Sequence, residues 1–337
     1  MSFEKCPFIS VCIASYNYAG YLPKGFEAIK KQKFKDYEII YLDDASTDSS
    51  VDVIQGFIKE NPDMQIALAV HATNQGLLQT KTDLLKLATG KYVMLCDADD
   101  WMTDDCLDKL AQKAYESNAD RVISQVFDIN ENGKLLQIQD FAKRPSKWLW
   151  NLHHGCLYKR EIIEKNNIEI LLYPDDVYMT TLFNFYSKNV AWIEEPLYYW
   201  LVHEKSTGRK KRDDIENIVS AFKDIIMFVN AIKEERQDDG QEIGLLMVKI
   251  YYLQLFHELK KCDLKEKIIA YSKLKNCMME VYPEYLQNCY LKIRGIKPAR
   301  DYAMKIMRLG KTLEKMHMLG IALMGYHFLS QWIVFDQ

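Results

Sequence analysis

Residues 91–100 read Lys-Tyr-Val-Met-Leu-Cys-Asp-Ala-Asp-Asp. An apolar run of strand character stops abruptly in three carboxylates, and this constrains the chain more than any other segment. Like charges gathered at a strand end repel one another and lose hydration, so they persist only when paired or bound to a cation. Hard divalent cations such as Mg²⁺ or Mn²⁺ take oxygen ligands and tolerate a carboxylate pair together with substrate phosphates. The segment therefore predicts a metal–diphosphate site at the rim of an α/β sheet. The plainer alternative is a solvated strand end whose aspartates cap the next helix.

The residues before it alternate strand and helix patterns. Phe8–Ile13, Tyr37–Leu42, Gln65–Val70 and Lys91–Cys96 read as strands, and Leu22–Gln32, Ser49–Lys59 and Leu77–Ala88 carry apolar residues at helical spacing. Strands separated by helices of about ten residues imply crossover connections and a mostly parallel sheet covered on both faces. Ligands bind such sheets beyond the carboxyl ends of their strands. Three of these four strands end in polar clusters, Ser15–Asn17, Asp43–Asp48 and Asp97–Asp100. That coincidence is the main argument from the residues alone for an active site.

Composition narrows the class. The 337 residues are 48% hydrophobic with a formal net charge of −3, enough for a substantial core and without the basic excess of a nucleic-acid reader. None of the eight cysteines forms a Cys-x-x-Cys pair, which favours a reducing, cytoplasmic setting. No basic-then-apolar leader opens the chain, so no signal peptide is expected.

Asp43-Asp44-Ala-Ser-Thr-Asp48 follows the second strand. A carboxylate there suits a ribose hydroxyl or a base N–H, while Ser46 or Thr47 suits capping of the next helix. A nicotinamide-binding domain also places an acid at this point. It needs a Gly-x-Gly-x-x-Gly turn after the first strand, and Ala14–Gly20 does not supply one. Ile9–Asn17 with Tyr21-Leu22, Asp43–Asp48, Asn74-Gln-Gly76, Ala88-Thr-Gly90 and Asp97-Ala-Asp-Asp100 come in an order and spacing that resembles the family 2 glycosyltransferases of the GT-A fold. The resemblance covers residues 8 to about 208. It implies a nucleotide-binding half over 1–100, an acceptor half over 101–208 and, beyond the family pattern, a helical region over 209–337.

The resemblance also implies roles. Ser15, Tyr16, Asn17, Asp43, Asp44 and Asn74 would hold the donor nucleotide. Asp97, Ala98 and Asp99 fall on the family's Asp-x-Asp motif, which contacts ribose and a Mn²⁺ or Mg²⁺ bridging the diphosphate. Lys81 stands where many members carry an arginine, so it brings charge without a bidentate fork. Asp175-Asp176 replaces the family's Glu-Asp, with Asp176 as the general base, and His203 matches a histidine that joins the metal shell. The implied activity is inverting transfer from a nucleotide sugar, a UDP-sugar foremost, to a hydroxyl of a glycan or lipid-linked glycan. A nucleotidyltransferase and a non-catalytic nucleotide-sugar-binding protein are the competing classes. His153-His154 lacks the spacing of an independent zinc site and is read as an acceptor contact.

Downstream, Ile215–Glu235, Gly244–Cys262 and Leu264–Val281 read as amphipathic helices. Between Lys292 and Lys315, eight Lys/Arg face two acids, a net +6, and an apolar stretch from Met318 to Phe335 follows. The stretch is shorter and more interrupted than a spanning helix. It suits contact with the cytoplasmic face of a membrane, or packing against the preceding helices.

Overall fold

The computed structural model describes residues 6–140, 146–203, 214–256, 262–291 and 302–320. They divide into two compact units. The first comprises residues 1–140, 152–171 and 182–206, and the second 141–151, 172–181 and 207–337. The second unit thus takes the expected helical region and two short segments from within the expected catalytic one.

The first unit is built on a nine-stranded sheet. Its elements run β1 (Ile9–Ser15), α1 (Leu22–Lys30), β2 (Tyr37–Asp43), α2 (Ser50–Glu60), β3 (Ile66–Val70), α3 (Leu77–Leu87), β4 (Tyr92–Asp97), β5 (Trp101–Met102), α4 (Cys106–Ser117), β6 (Arg121–Asn130), β7 (Leu135–Gln139), β8 (Cys156–Lys159), α5 (Arg160–Lys165) and β9 (Val190–Val202). Every residue of β1 and β2 is buried, as expected of parallel strands covered on both faces. The order is β3-β2-β1-β4-β8-β6-β9-β5, with β7 on β6. The first four strands are parallel, as is β6 with β9, while β5, β7 and β8 pair antiparallel.

The register positions the site. Ser15 lies beside Asp43, and Ala14 beside Asp97. Strand β1 has β2 on one side and β4 on the other, so the connections after β1 and β3 leave in opposite directions. A crevice opens at such a switch point, beyond the carboxyl ends of the strands. Gly90 allows the close approach of β4 to β1, because a Cβ there would lie 2.6 Å from the Ser10 backbone N. Ser10 Oγ donates to Glu38 Oε1 at 2.5 Å and accepts from Gly90 N at 2.8 Å.

Helix α6 (Asp175–Tyr186) has its first half in the second unit and its second half in the first. The rest of the second unit is helical: α7 (Ile215–Glu235), α8 (Gly240–Phe256), α9 (Leu264–Val281) and α10 (Tyr302–Lys315). Asp214 caps α7 by accepting from Glu216 N, and Asp263 with Glu266 forms a reciprocal capping box on α9, satisfying backbone donors that a helix start leaves open. Helix α8 is buried almost all round, from Ile243 to Leu255. Helix α10 turns Ile306, Met307 and Glu314 inward. There Glu314 Oε2 accepts from Tyr252 Oη at 2.9 Å. No helix among the described residues is long and apolar enough to cross a membrane. The stretch 321–337, expected to touch a membrane or fold back, lies outside the described residues, as do 292–301 of the basic segment.

Candidate active site

The rim begins with two loops that brace each other. Asn17 adopts a left-handed conformation, φ 58°, one that Asn tolerates better than most residues. Its Oδ1 accepts from Thr47 N at 2.8 Å and Asp48 N at 3.3 Å, and its own N–H donates to Ser46 Oγ at 2.8 Å. Asp43 accepts from Ser15 Oγ, Ser46 N and Ser46 Oγ at 2.7–3.1 Å. Asp44 accepts from Gln75 N at 2.7 Å and Gly76 N at 2.8 Å, and its Oδ1 lies 2.7 Å from His71 Nδ1. Asn74 Nδ2 donates to the Asp44 carbonyl at 3.2 Å. Asp43, Asp44 and Asn17 therefore build the rim, and each carboxylate keeps only part of its accepting capacity for another group. Tyr16 is 38% exposed at the same edge. The helix start at α2 is served by neither Ser46 nor Thr47; Asp48 Oδ1 accepts from Ser50 N at 2.9 Å instead.

The acid motif splits into two directions. Asp99 Oδ2 sits 2.7 Å from His203 Nε2, and the His203 ring stacks on Tyr21 with centroids 4.8 Å apart. Asp97 turns the other way. Its Oδ1 is 3.3 Å from Lys81 Nζ and 3.8 Å from His153 Nε2, and its Oδ2 is 3.3 Å from His154 Nε2. Ala98 between them is buried. Asp100 Oδ1 accepts from Leu201 N at 2.8 Å, tying the motif to β9.

These placements set the charges. Burial pulls the Asp97 carboxyl upward, but Lys81 and the two histidines outweigh it and hold it well below the usual carboxylate range. Burial and then the Asp97 charge push Asp99 up, against the contact with His203. Burial, Asp99 and Asp97 push Asp100 well above its ordinary value. The Tyr18 phenol is raised by burial and by the same three carboxylates. A divalent cation beside Asp99 would offset the burial and the Asp97 charge that disfavour its ionised form. A carboxylate and an imidazole suit Mn²⁺, and the oxygen-rich rim also accepts Mg²⁺. The residues present fit such an ion.

Residues far along the chain complete the cluster. Arg121 is fully buried in β6, donating to Asn184 Oδ1 at 2.9 Å and the Leu152 carbonyl at 3.2 Å. That bond anchors the loop carrying His153 and His154. Gly155 follows with φ +63°, and a Cβ there would meet Ser124 Oγ at 2.3 Å. Only glycine lets this loop press onto β6 and aim both imidazoles at Asp97. Asp175 and Asp176 occupy the first turn of α6, where acids favour the helix dipole. The sequence reading gave no role to Tyr18, to His71, or to Tyr198, whose Oη accepts from Asp97 N at 3.4 Å. Of these, only His71, directly after β3, stands at a strand end where the sequence could have pointed to it.

Known proteins of similar sequence and fold place the chain in a family. The model for "Glycosyl transferase family 2" matches residues 10–190, more than half of the 337-residue chain. The chain is 23% identical over 217 residues to the putative glycosyltransferase EpsH of Bacillus subtilis, covering 59% of this chain and 62% of that protein. It is 26% identical over 230 residues to the uncharacterized glycosyltransferase YibD of Escherichia coli, covering 62% and 66%. The chain thus spans just under two thirds of the length of these two relatives. Among solved structures, S. aureus TarS 1–349 in complex with UDP-GlcNAc superposes with a TM-score of 0.71 at 17% identity, covering 92% of each chain. The mannosyltransferase PcManGT from Pyrobaculum calidifontis, in complex with GDP-Man and Mn²⁺, gives 0.53 at 16% identity, covering 96% of this chain and 88% of that one. The fold is that of the GT-A enzymes, with a helical C-terminal region, and the chain belongs to glycosyl transferase family 2.

Proposed function

We propose that this chain transfers a sugar from a nucleotide-sugar donor, foremost a UDP-sugar, to a hydroxyl of a glycan or lipid-linked glycan, with inversion at the anomeric carbon. The observation that carries the reading is the acid motif at the β1–β4 switch point. There Asp97 is paired with a buried lysine and Asp99 with a buried histidine, in a family 2 chain. The complexes of TarS with UDP-GlcNAc and of PcManGT with GDP-Man support the donor class.

In this reading the rim of Ser15, Tyr16, Asn17, Asp43, Asp44 and Asn74 receives the nucleoside. Asp97 and Lys81 meet the ribose and diphosphate. Asp99 and His203 would hold a Mn²⁺ or Mg²⁺. Such an ion, when bound, would supply positive charge against that growing on the leaving diphosphate. Asp176 accepts the proton of the acceptor hydroxyl as its oxygen bonds to the anomeric carbon and the bond to the diphosphate oxygen breaks. Asp175 supports the same helix start. The acceptor being lipid-linked would place the enzyme on the cytoplasmic side of a membrane, held there peripherally.

A panel of UDP-, GDP-, CDP- and dTDP-sugars tested by thermal shift with Mn²⁺ checks the donor. One UDP-sugar at 100 times its Kd should stabilise the protein by about 2.7 kcal/mol. No shift with any nucleotide sugar, with or without metal, would overturn the reading.

A further inference from the structure

One cluster in the first unit does more than the donor reading asks of it. Asp97, His153 and His154 each present a ligand atom within 4.8 Å of the others. Among the described residues they are the one His/Cys/Asp/Glu group of three or more packed so closely. Both histidines are at most 2% exposed. Their rings lie 4.0 Å apart, and His154 is backed by the Trp200 ring at 5.5 Å. His154 Nδ1 is buried with no hydrogen-bond partner. The anchoring of this loop by Arg121, and the glycine at 155, make the arrangement a built one.

The charge at its centre is a lysine. Lys81 Nζ lies 3.3 Å from Asp97 Oδ1 and 3.3 Å from His153 Nε2, between two atoms that ligate metals in other settings. One carboxylate with two imidazoles is a donor set that favours borderline transition metals over Mg²⁺, which prefers oxygen and keeps its water. A site of this kind differs from Asp99–His203 in ligands and in selectivity.

We propose that Asp97, His153 and His154 form a second divalent-metal site, selective for borderline ions such as Co²⁺ or Zn²⁺, with Lys81 as the resident cation that an incoming ion displaces. Because the ion takes Asp97, it opposes donor binding. The site therefore makes the enzyme sensitive to transition metals that its own catalytic ion does not resemble.

The test is Co²⁺ titration of the full-length protein, read by visible d–d absorption. Wild type should develop a band that excess Mg²⁺ does not remove and that Asp99→Asn leaves in place. Lys81→Met should bind Co²⁺ on the order of tenfold tighter, since a like charge has left the site. In that background His153→Asn or His154→Asn should abolish the band. A band that survives both histidine changes, a band that disappears with Asp99→Asn alone, or no band in either wild type or Lys81→Met would overturn the proposal. Should the histidine variants fail to fold, anomalous diffraction from wild-type crystals soaked in Zn²⁺ decides: a peak among Asp97, His153 and His154 supports the site, and a peak only at Asp99–His203, or none, overturns it. The readouts need no nucleotide sugar, so they stand or fall apart from the donor assignment.

Discussion

At the scale of single residues, the acid motif works as two carboxylates with different partners rather than one acidic patch. Asp99 faces His203 and Asp97 faces Lys81, so their removal should not be equivalent. Asp99→Ala is expected to abolish Mn²⁺-dependent stabilisation by the donor while the melting transition of the free protein persists. Calorimetry of Mn²⁺ with UDP-sugar checks this, and undiminished metal-dependent binding would contradict it. For the base, Asp176→Asn should keep donor affinity and reduce transfer by on the order of 10²-fold or more. Asp175→Asn should be mild, and the reverse ranking would assign the role to Asp175. Asp48 gives a pH signature away from the metal. Burial raises its carboxyl, but the bonds from Ser50 Oγ, Ser50 N and Ala19 N outweigh it and hold Asp48 below the ordinary range. A depressed carboxyl stabilises the fold above its unfolded value of about 4 and loses that contribution as pH falls through its folded value. The stability gap between wild type and Asp48→Asn should therefore be widest near neutrality and close below about pH 4 in pH-dependent melts.

At the scale of elements, the strand ends and the loops they throw out decide what the site can hold. The loop before β8 reaches Asp97 only because Gly155 has no side chain. Gly155→Ala combines a positive φ with a Cβ 2.3 Å from Ser124 Oγ and 3.2 Å from Tyr198 Cβ. It should cost about 1–3 kcal/mol. Gly56 is the contrast: it lies inside α2 with nothing within 4 Å of an added Cβ. Gly56→Ala should stabilise by about 0.5–1 kcal/mol through helix propensity. Chemical denaturation of the two variants measures both signs, and equal effects would show that the packing at Gly155 is not limiting. In the second unit the same close-approach logic operates at Gly310, where a Cβ would lie 2.4 Å from the Tyr252 ring. That contact seats α10 on α8 and brings Glu314 to the tyrosines.

At the scale of the whole molecule, charge is unevenly placed. The chain is −3 overall, yet residues 292–315 carry a net +6. Helix α10 spends its inner face on Ile306, Met307 and Glu314, which answers part of the packing alternative for this segment. Its outer side shows Leu309 at 55% exposure, and Met316, just beyond the helix, is exposed at 59%. Basic side chains near an anionic surface contribute about 1 kcal/mol each. Liposome flotation should show binding to anionic vesicles that weakens with salt and disappears when residues 296–337 are deleted. A full-length protein that stays off vesicles at low salt would assign the basic stretch to some other role.

The alternation of strands and helices over residues 9–97 was legible in the sequence to within a few residues, as were the helices α7 and α9. These are local properties: side chains repeat with period two or near 3.6, and Pro, Gly and capping residues mark the ends within the same few positions. The polar strand ends also announced the rim, because register in a parallel sheet brings successive carboxyl ends to one edge. What the sequence left open is which polar group faces which. His154 is 57 residues from Asp97, and His203 is 104 from Asp99. Nothing in the local pattern of either segment encodes the other. The turn at Gly155, the anchor at Arg121 and the pairing of β6 with β8 and β9 settle those meetings. That is why Asp43 and Asp44 proved to be occupied by backbone and side-chain donors, and why His153-His154, unremarkable as a dipeptide, came to face Asp97. Local periodicity determines the elements, but the direction of a side chain at a strand end depends on partners that only the folded sheet brings within reach.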